Sequence, residues 1–389
     1  MFDLLKQNDR KKLKQREKID AAAFAVAKKK LVFYALTGGQ YKYYKMIIEY
    51  LLKNCEIVIH YLTNDPNDAL FEQNNPKLIP YYVSERKTIS LMLRLDADIV
   101  VTTVPDLQSY HMKRSTRRDD IEYIYVFHAP ISTTMQYKEK AFDHFDTVFC
   151  VGPHHVAELR RREEIAGLPK RNLVKAGYGL YDELGNSYNS ADTRSRTKPQ
   201  ILIAPSWQRD NIFETCIEDI LDTILGKGNI VTVRPHPQFM RLCADKMEAL
   251  ERQYEKFVKA GELIFETDFS GNTSIYMSDL LITDWSGIAY EFSYATSKPC
   301  VFINTPQKIM NPNYLKYDIE PMELTVRNKI GKSIDPFDIK EKLAPAVEAL
   351  LQGDGADSQQ IKEILKQYVF YPGRSGEAGG RYIIEKAGV

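Results

Sequence analysis

Apolar residues along the chain fall into short runs that alternate with stretches of helical spacing. Leu31–Leu36 is a β-branched and aromatic run stopped by Thr37-Gly38-Gly39, and Tyr43–Leu52 then carries a three-to-four-residue apolar period. Strand-like runs follow at Glu56–Tyr61, Asp98–Thr102, Tyr123–Phe127, Thr147–Val151 and Leu173–Ala176. Strands separated by helices imply crossover connections and a mostly parallel sheet, hence an α/β domain. The stretch 185–199 is polar and aperiodic and reads as a linker. The pattern then restarts. Strands are expected at Gln200–Ala204, Asn229–Val233, Leu263–Glu266, Leu280–Thr283 and Cys300–Ile303. Helices are expected at Phe213–Leu225, Gln238–Ala260, Thr273–Met277, Gly287–Thr296 and near Ile339–Leu351, with one or two closing helices over 360–389.

The expected division is therefore a basic helix over 1–30, a first Rossmann-like domain over 31–184, a linker over 185–199 and a second Rossmann-like domain with closing helices over 200–389. Two such halves would face a cleft, with ligands at the carboxyl ends of the strands.

Composition narrows the function classes. The chain has 389 residues, 44% apolar and 27% charged, which excludes a wholly disordered, coiled-coil or collagen-like protein. No apolar run approaches the roughly 20 residues of a membrane-spanning helix, and no apolar leader marks a secretory signal. A net charge of +1 argues against a general nucleic-acid binder. The five cysteines, Cys55, Cys150, Cys216, Cys243 and Cys300, lack CxxC spacing and read as reduced thiols of a cytoplasmic protein. Charge is uneven: residues 1–30 hold ten Lys or Arg against four Asp or Glu. With a thin apolar stripe (Phe2, Leu5, Leu13, Ile19, Phe24), this segment reads as a solvated helix packed on the first domain. The alternative is a helix lying on an anionic membrane surface, which would make the protein peripheral.

Three places could carry chemistry. In Leu280–Glu291 a buried strand ends at Asp284 and a helix begins at once. Ser286 could cap it, Gly287 could admit a ligand to the backbone amides, and Glu291 could reach a ribose hydroxyl. An ordinary capped helix explains the same pattern. In Arg234-Pro235-His236-Pro237 two prolines hold the imidazole, and an Arg beside a His at a strand end suits a phosphate group. His128, just after Tyr123–Phe127, is a candidate general base or else a core histidine bonded to a backbone carbonyl. Gly38, Gly39 and Gln40 after the first strand could line an acceptor. His144, His154 and His155 make weaker candidates. No HExxH, GxSxG, P-loop or Asp-rich cation motif is present, so no bound metal and no ATPase activity are expected.

Taken together these stretches resemble the CDP-glycerol glycerophosphotransferases, the family that primes and polymerises teichoic acids and related capsule polymers. Ile201–Trp207 is similar to its LxAPTW strand, Arg234–Pro237 to RxHP, Ser278–Gly287 to SDxLITDYSS and Lys298–Phe302 to KPxxF. Phe127–Pro130 resembles WHGTP, and Gly177–Leu184 resembles GYPRxDxL. The motifs keep the family's order over roughly residues 120–305. The chain departs from the pattern at Ala129-Pro130, at Gly287 in place of the second Ser, and at Glu291 where Asp is frequent.

The resemblance implies a GT-B fold of two Rossmann-like domains facing a central cleft. It implies transfer of a polyol phosphate, glycerol phosphate above all, from a CDP-activated donor to a hydroxyl of a polymer or lipid-linked acceptor, releasing CMP without a cofactor. By the same resemblance His128 is the base, His236 contacts the donor phosphates, and the anion turn falls to Asp284, Ser286 and Gly287; Ser206, Arg234, Trp285 and Glu291 are expected beside them as donor-binding residues. Other readings of the scaffold are a nucleotide-sugar transferase for capsule or lipopolysaccharide, a UDP-sugar epimerase, and a catalytically silent nucleotide-binding subunit.

Overall fold

The computed structural model describes residues 2–109, 112–192, 196–269, 271–354 and 357–389. The chain forms two compact units. One comprises Met1–His128, Lys138–Gly179 and Phe370–Val389, the other Ala129–Tyr137 and Leu180–Val369.

The first unit holds seven strands: β1 (Lys29–Ala35), β2 (Ile59–Thr63), β3 (Leu78–Tyr82), β4 (Ala97–Thr102), β5 (Glu122–Val126), β6 (Thr147–Cys150) and β7 (Asn172–Lys175). Their order is β3-β2-β1-β4-β5-β6-β7, with every pairing parallel. Leu31 pairs with Ile59 on one side and Ile99 on the other. Helices cover both faces, so the central strands are apolar at consecutive positions rather than alternately, and Leu31 to Ala35 are all buried.

The second unit repeats the plan with β8 (Gln200–Ile203), β9 (Ile230–Val233), β10 (Leu263–Phe265), β11 (Leu280–Thr283), β12 (Cys300–Ile303) and β13 (Gly331–Ile334). Their order is β10-β9-β8-β11-β12-β13, again all parallel. In each sheet the order reverses beside the first strand, between β1 and β4 and between β8 and β11. These are the switch points where open α/β sheets take ligands at their strand carboxyl ends.

The division of the chain differs from expectation in three places. Residues 185–190 are helical, not linker: the helix Gly179–Ser190 buries Leu180, Tyr181, Asp182 and Leu184 in its first half. Its second half is polar, which hides the period. The closing helix Ser375–Ala387 belongs to the first unit because its glycines let it press on the helix Tyr41–Asn54. A Cβ on Gly376 would lie 2.3 Å from the Met46 carbonyl oxygen, and one on Gly380 2.3 Å from the Tyr50 ring. The segment Ala129–Tyr137, inside the first domain by sequence, packs with the second unit.

Two edge strands escape the periodicity. β3 contains Pro80, which lacks the N–H an interior strand needs. β13 is Gly-Lys-Ser-Ile, with Gly331 pressed on the Cys300 carbonyl. The long helix expected over Gln238–Ala260 is three helices, Pro237–Leu242, Ala244–Gln253 and Glu255–Lys259, interrupted at Cys243 and at Tyr254. Tyr254 turns inward and its hydroxyl donates to Asp222 at 2.8 Å. The expected helix Phe213–Leu225 is likewise split at Cys216.

The N-terminal helix Phe2–Val26 lies along β3. The Asp20 carboxylate accepts the Tyr82 N–H at 2.9 Å and Glu17 accepts the Ser84 N–H at 3.0 Å, so acidic side chains satisfy the donors of the sheet edge. The Lys29 ammonium donates to the carbonyls of Phe24 and Ala27 at 2.7 and 2.5 Å and closes the helix C-terminus. Phe24 is buried, whereas Ile19, placed on the apolar stripe by sequence, is 57% exposed. Lys11, Lys12, Lys14 and Lys18 stay exposed. Among the described residues no helix is long and apolar enough to cross a membrane.

Candidate active site

In the first unit the carboxyl ends of β1, β4 and β5 converge on His128. Its Nδ1 lies 3.2 Å from the Thr103 carbonyl oxygen and 3.1 Å from the Tyr125 hydroxyl. A carbonyl can only accept, so in the neutral ring a bond to Thr103 requires the proton on Nδ1 and leaves the lone pair on Nε2. Thr103 is itself anchored: its N–H donates to the Tyr44 hydroxyl at 2.7 Å, and that hydroxyl donates to the Tyr34 carbonyl at 2.7 Å. The His128 ring is half-buried, with the Tyr43 ring edge-on at 6.2 Å. Tyr43 in turn stacks on Tyr178 at 6.3 Å. Tyr178 is placed by Gly177, whose φ of +79° and approach to the Phe370 carbonyl, 2.4 Å from any added Cβ, leave room for no side chain.

The glycine turn after β1 has mostly internal duties. A Cβ on Gly38 would meet the Asp65 carboxylate at 3.1 Å, and the Gly38 N–H donates to that carboxylate. The Gln40 amide oxygen accepts the Leu36 N–H at 2.6 Å and closes the turn on itself. Gly39 alone meets no atom closer than 4.0 Å. Of the three acceptor-side candidates, Gly39 keeps the open approach for which all three were singled out.

In the second unit Asp284 is a latch. Its carboxylate accepts the N–H groups of Ser206 and Trp285, each at 2.7 Å, and of Ile212 at 3.3 Å. It thereby ties the end of β8 to the end of β11 at the switch point, almost wholly buried. Trp285 points inward: its indole N–H donates to the Thr305 carbonyl at 2.8 Å, and the Arg327 guanidinium stacks 3.7 Å above its ring. Ser286 does not cap the following helix Ile288–Thr296, whose N-cap is Gly287 with no side-chain bond. Glu291 lies in the interior beside Tyr181, whose hydroxyl is pushed far up by burial and by that carboxylate. A ribose contact from Glu291 finds no support in this placement.

Arg234 also differs from expectation. Its guanidinium pairs with Glu266 and donates to the Gly271 carbonyl at 3.0 Å and the Ser274 hydroxyl at 3.3 Å. It is 6% exposed and braces the loop after β10 rather than presenting an open fork to phosphate. His236 is different again. Its Nδ1 accepts the Gln238 N–H at 3.1 Å. An amide can only donate, so the neutral ring carries its proton on Nε2 and offers a donor. The half-buried imidazole lies 6.3 Å from the Trp207 ring. Conserving the geometry at the opposite end of the sheet, Asp279 pairs with Lys298 at 2.9 Å and accepts the Gln200 N–H, so these motif residues hold strands rather than ligand.

The segment Ala129–Tyr137 completes the second unit's rim. Ser132 N–H donates to Glu323 at 2.8 Å, and the Gln136 amide donates to the Trp285 carbonyl at 3.3 Å. A Cβ on Gly287 would stand 3.3 Å from the Ala129 Cβ and 3.1 Å from Ile131. The two departures from the resembled pattern thus meet at one contact: a methyl on 129 occupies the space a side chain on 287 would need.

Sequence reasoning missed Lys308 and Arg327. Both follow β12, in stretches with no motif and no strict period. Arg327 is buried against Trp285 and Phe302 and donates to Asn304 at 3.2 Å, and burial pulls its guanidinium down to about 10. The Lys308 ammonium lies 5.6 Å from the Trp207 ring centroid. The only signal in the sequence is that each follows a strand whose neighbour carries the Asp284 turn.

Solved structures share this architecture. The wall teichoic acid polymerase TagF aligns with TM-score 0.59 at 15% identity, covering 100% of this chain and 97% of that chain. The UDP-GlcNAc 2-epimerase of Methanocaldococcus jannaschii aligns at 0.51 with 13% identity, covering 87% and 98%. Sucrose-phosphate synthase of Thermosynechococcus elongatus gives 0.52 with 13% identity, covering 93% and 100%. These identities speak for a shared GT-B-type fold. No curated protein matches by sequence. Residues 18–309, three quarters of the chain and inclusive of both histidine motifs and the Asp284 turn, match the family described as CDP-glycerol:poly(glycerophosphate) glycerophosphotransferase. The chain belongs to that family of transferases, as the resemblance of its motifs implied.

Proposed function

We propose that the protein transfers glycerol phosphate from CDP-glycerol to a hydroxyl of a growing cell-surface polymer of the teichoic acid or capsule type, releasing CMP. The observation that carries this reading is the opposite backbone partner at Nδ1 of two histidines at strand carboxyl ends, a carbonyl for His128 and an amide for His236. His128, with its lone pair on Nε2, removes the acceptor hydroxyl's proton as the oxygen attacks the donor's β-phosphorus. His236, with its proton on Nε2, donates to a phosphate oxygen and stabilises the charge that builds on it. The Gly287 turn offers backbone N–H groups to the same phosphates. The bond formed is acceptor oxygen to β-phosphorus, the bond broken joins that phosphorus to the bridging oxygen, and CMP leaves with the electron pair. Charge neutralisation falls to side chains and amides, and the reading names no cofactor. CMP release is therefore expected to survive chelation of divalent cations.

The test is nucleotide release from CDP-glycerol, followed by mass spectrometry with other CDP-polyols and nucleotide sugars in parallel. CMP from CDP-glycerol supports the reading. UDP from a UDP-sugar moves the assignment to sugar transfer on the same scaffold.

The exposed Lys11, Lys12, Lys14 and Lys18 of the N-terminal helix support peripheral attachment to an anionic membrane, on its cytoplasmic face. Replacing all four with Glu is expected to abolish sedimentation with phosphatidylglycerol vesicles while leaving the folded unit intact, because the helix docks through Glu17, Asp20 and Phe24.

A further inference from the structure

The donor reading leaves a charge unanswered. A nucleoside diphosphate brings two phosphates to the second unit, and the arginine nearest the histidine motif, Arg234, is already neutralised by Glu266. We propose that Lys308 is the cation that binds the donor diphosphate, an inference that rests on the donor reading above.

Three observations support it. First, Lys308 and His236 share a neighbour, the Trp207 ring. The Lys308 ammonium lies 5.6 Å from the Trp207 ring centroid, and Trp207 lies 6.3 Å from the imidazole of His236. The loop carrying Lys308 is tied to the loop after β8, since the Gln208 amide donates to the Pro306 carbonyl at 3.4 Å. In the order β8-β11-β12 these loops flank the Asp284 turn on either side.

Second, Lys308 has no ion pair or hydrogen bond among the described residues. The carboxylates whose field it feels are Asp284 and Glu323, and both already accept backbone N–H groups, from Ser206, Ile212 and Trp285 and from Ser132 respectively. Partial burial works against the ammonium and lowers its pKa. Asp284 and Glu323 attract the ammonium without forming an ion pair with it, so a half-buried cation is left at a cost that an incoming anion would offset.

Third, the ends of the two strands beside the Asp284 turn carry hydroxyls without a partner. The hydroxyls of Ser206 and Thr305, at the ends of β8 and β12, are buried without a hydrogen-bond partner among the described residues. Leaving such groups unsatisfied costs stability.

The test is calorimetric titration of the full-length protein with CDP and with CMP. A charge-assisted hydrogen bond contributes about 1.5–3 kcal/mol, so Lys308→Met is expected to weaken CDP binding roughly 10- to 100-fold. CMP should lose less, and Lys308→Arg should recover part of the affinity. The exposed Lys316→Met serves as the control for net charge and should bind like wild type. Thermal midpoints equal to wild type show that the variants fold. Wild-type affinity for CDP in both Lys308→Met and Lys308→Arg overturns this proposal and leaves the donor reading standing. Failure of the wild-type protein to bind CDP overturns the donor reading, and this proposal with it.

Discussion

His128 donates its Nδ1–H to a backbone carbonyl, whereas the Nδ1 of His236 accepts a backbone amide N–H. The six strands of the second sheet follow the order of the first six of the other, and both histidines follow strands near a switch point. What differs is the backbone group that faces the ring. The Thr103 carbonyl makes His128 a proton acceptor at Nε2, and the Gln238 amide makes His236 a donor there. The proposed division of acid and base roles rests on the peptide groups beside two chemically identical side chains, which no residue-type pattern displays.

The comparison breaks most severely at the base. His128→Ala is expected to lower the single-turnover rate of CMP release about 10²–10⁴-fold while the affinity for CDP-glycerol stays near wild type. Equal losses of rate and affinity would make His128 a donor ligand instead.

Asp284→Ala comes next. It strips three backbone N–H groups of a buried charged acceptor, and a loss of about 3 kcal/mol or more is expected in urea denaturation without any ligand. If stability is unchanged and only donor binding falls, Asp284 touches the donor and is no latch.

The contact between positions 129 and 287 gives a smaller effect. Gly287→Ser alone is expected to cost about 1–2 kcal/mol, because its Cβ would crowd Ala129 and Ile131. Combined with Ala129→Gly the cost should shrink, so a double-mutant cycle reads a coupling of about 0.5 kcal/mol or more.

A third histidine sharpens the comparison at the low end. His60 is buried on β2 with its Nδ1 3.0 Å from the Tyr81 hydroxyl. Burial, with the positive charge of Lys29, pulls its pKa from 6.5 to about 4. The unfolded chain then binds the extra proton between those values, so stability present above pH 6.5 is lost as the pH falls toward 4. His60→Phe should flatten that part of the stability–pH curve.

Much of the fold is legible in the sequence because buried parallel strands are uninterrupted apolar runs: β1, β4, β5, β8, β11 and β12 all stand out. β3 and β13 do not, since Pro80 and Gly331 suit sheet edges that periodicity does not register. The assignment of Ser375–Ala387 to the first unit depends on glycines meeting Met46 and Tyr50 across more than three hundred residues. At the site, motif spacing locates the strand ends but not which side chains face outward. Arg234, Asp284 and Trp285 read as ligands by type and are struts by geometry, and Lys308 lies outside every motif.

The division of labour between the histidines is tested most directly by measuring, on one preparation each of wild type, His128→Ala and His236→Ala, both the dissociation constant for CDP-glycerol and the rate of CMP release with a polyol-phosphate acceptor. Wild-type affinity with collapsed turnover is expected for His128→Ala, and weakened affinity together with reduced turnover for His236→Ala. Full turnover in His128→Ala, with the fold intact, would contradict that division.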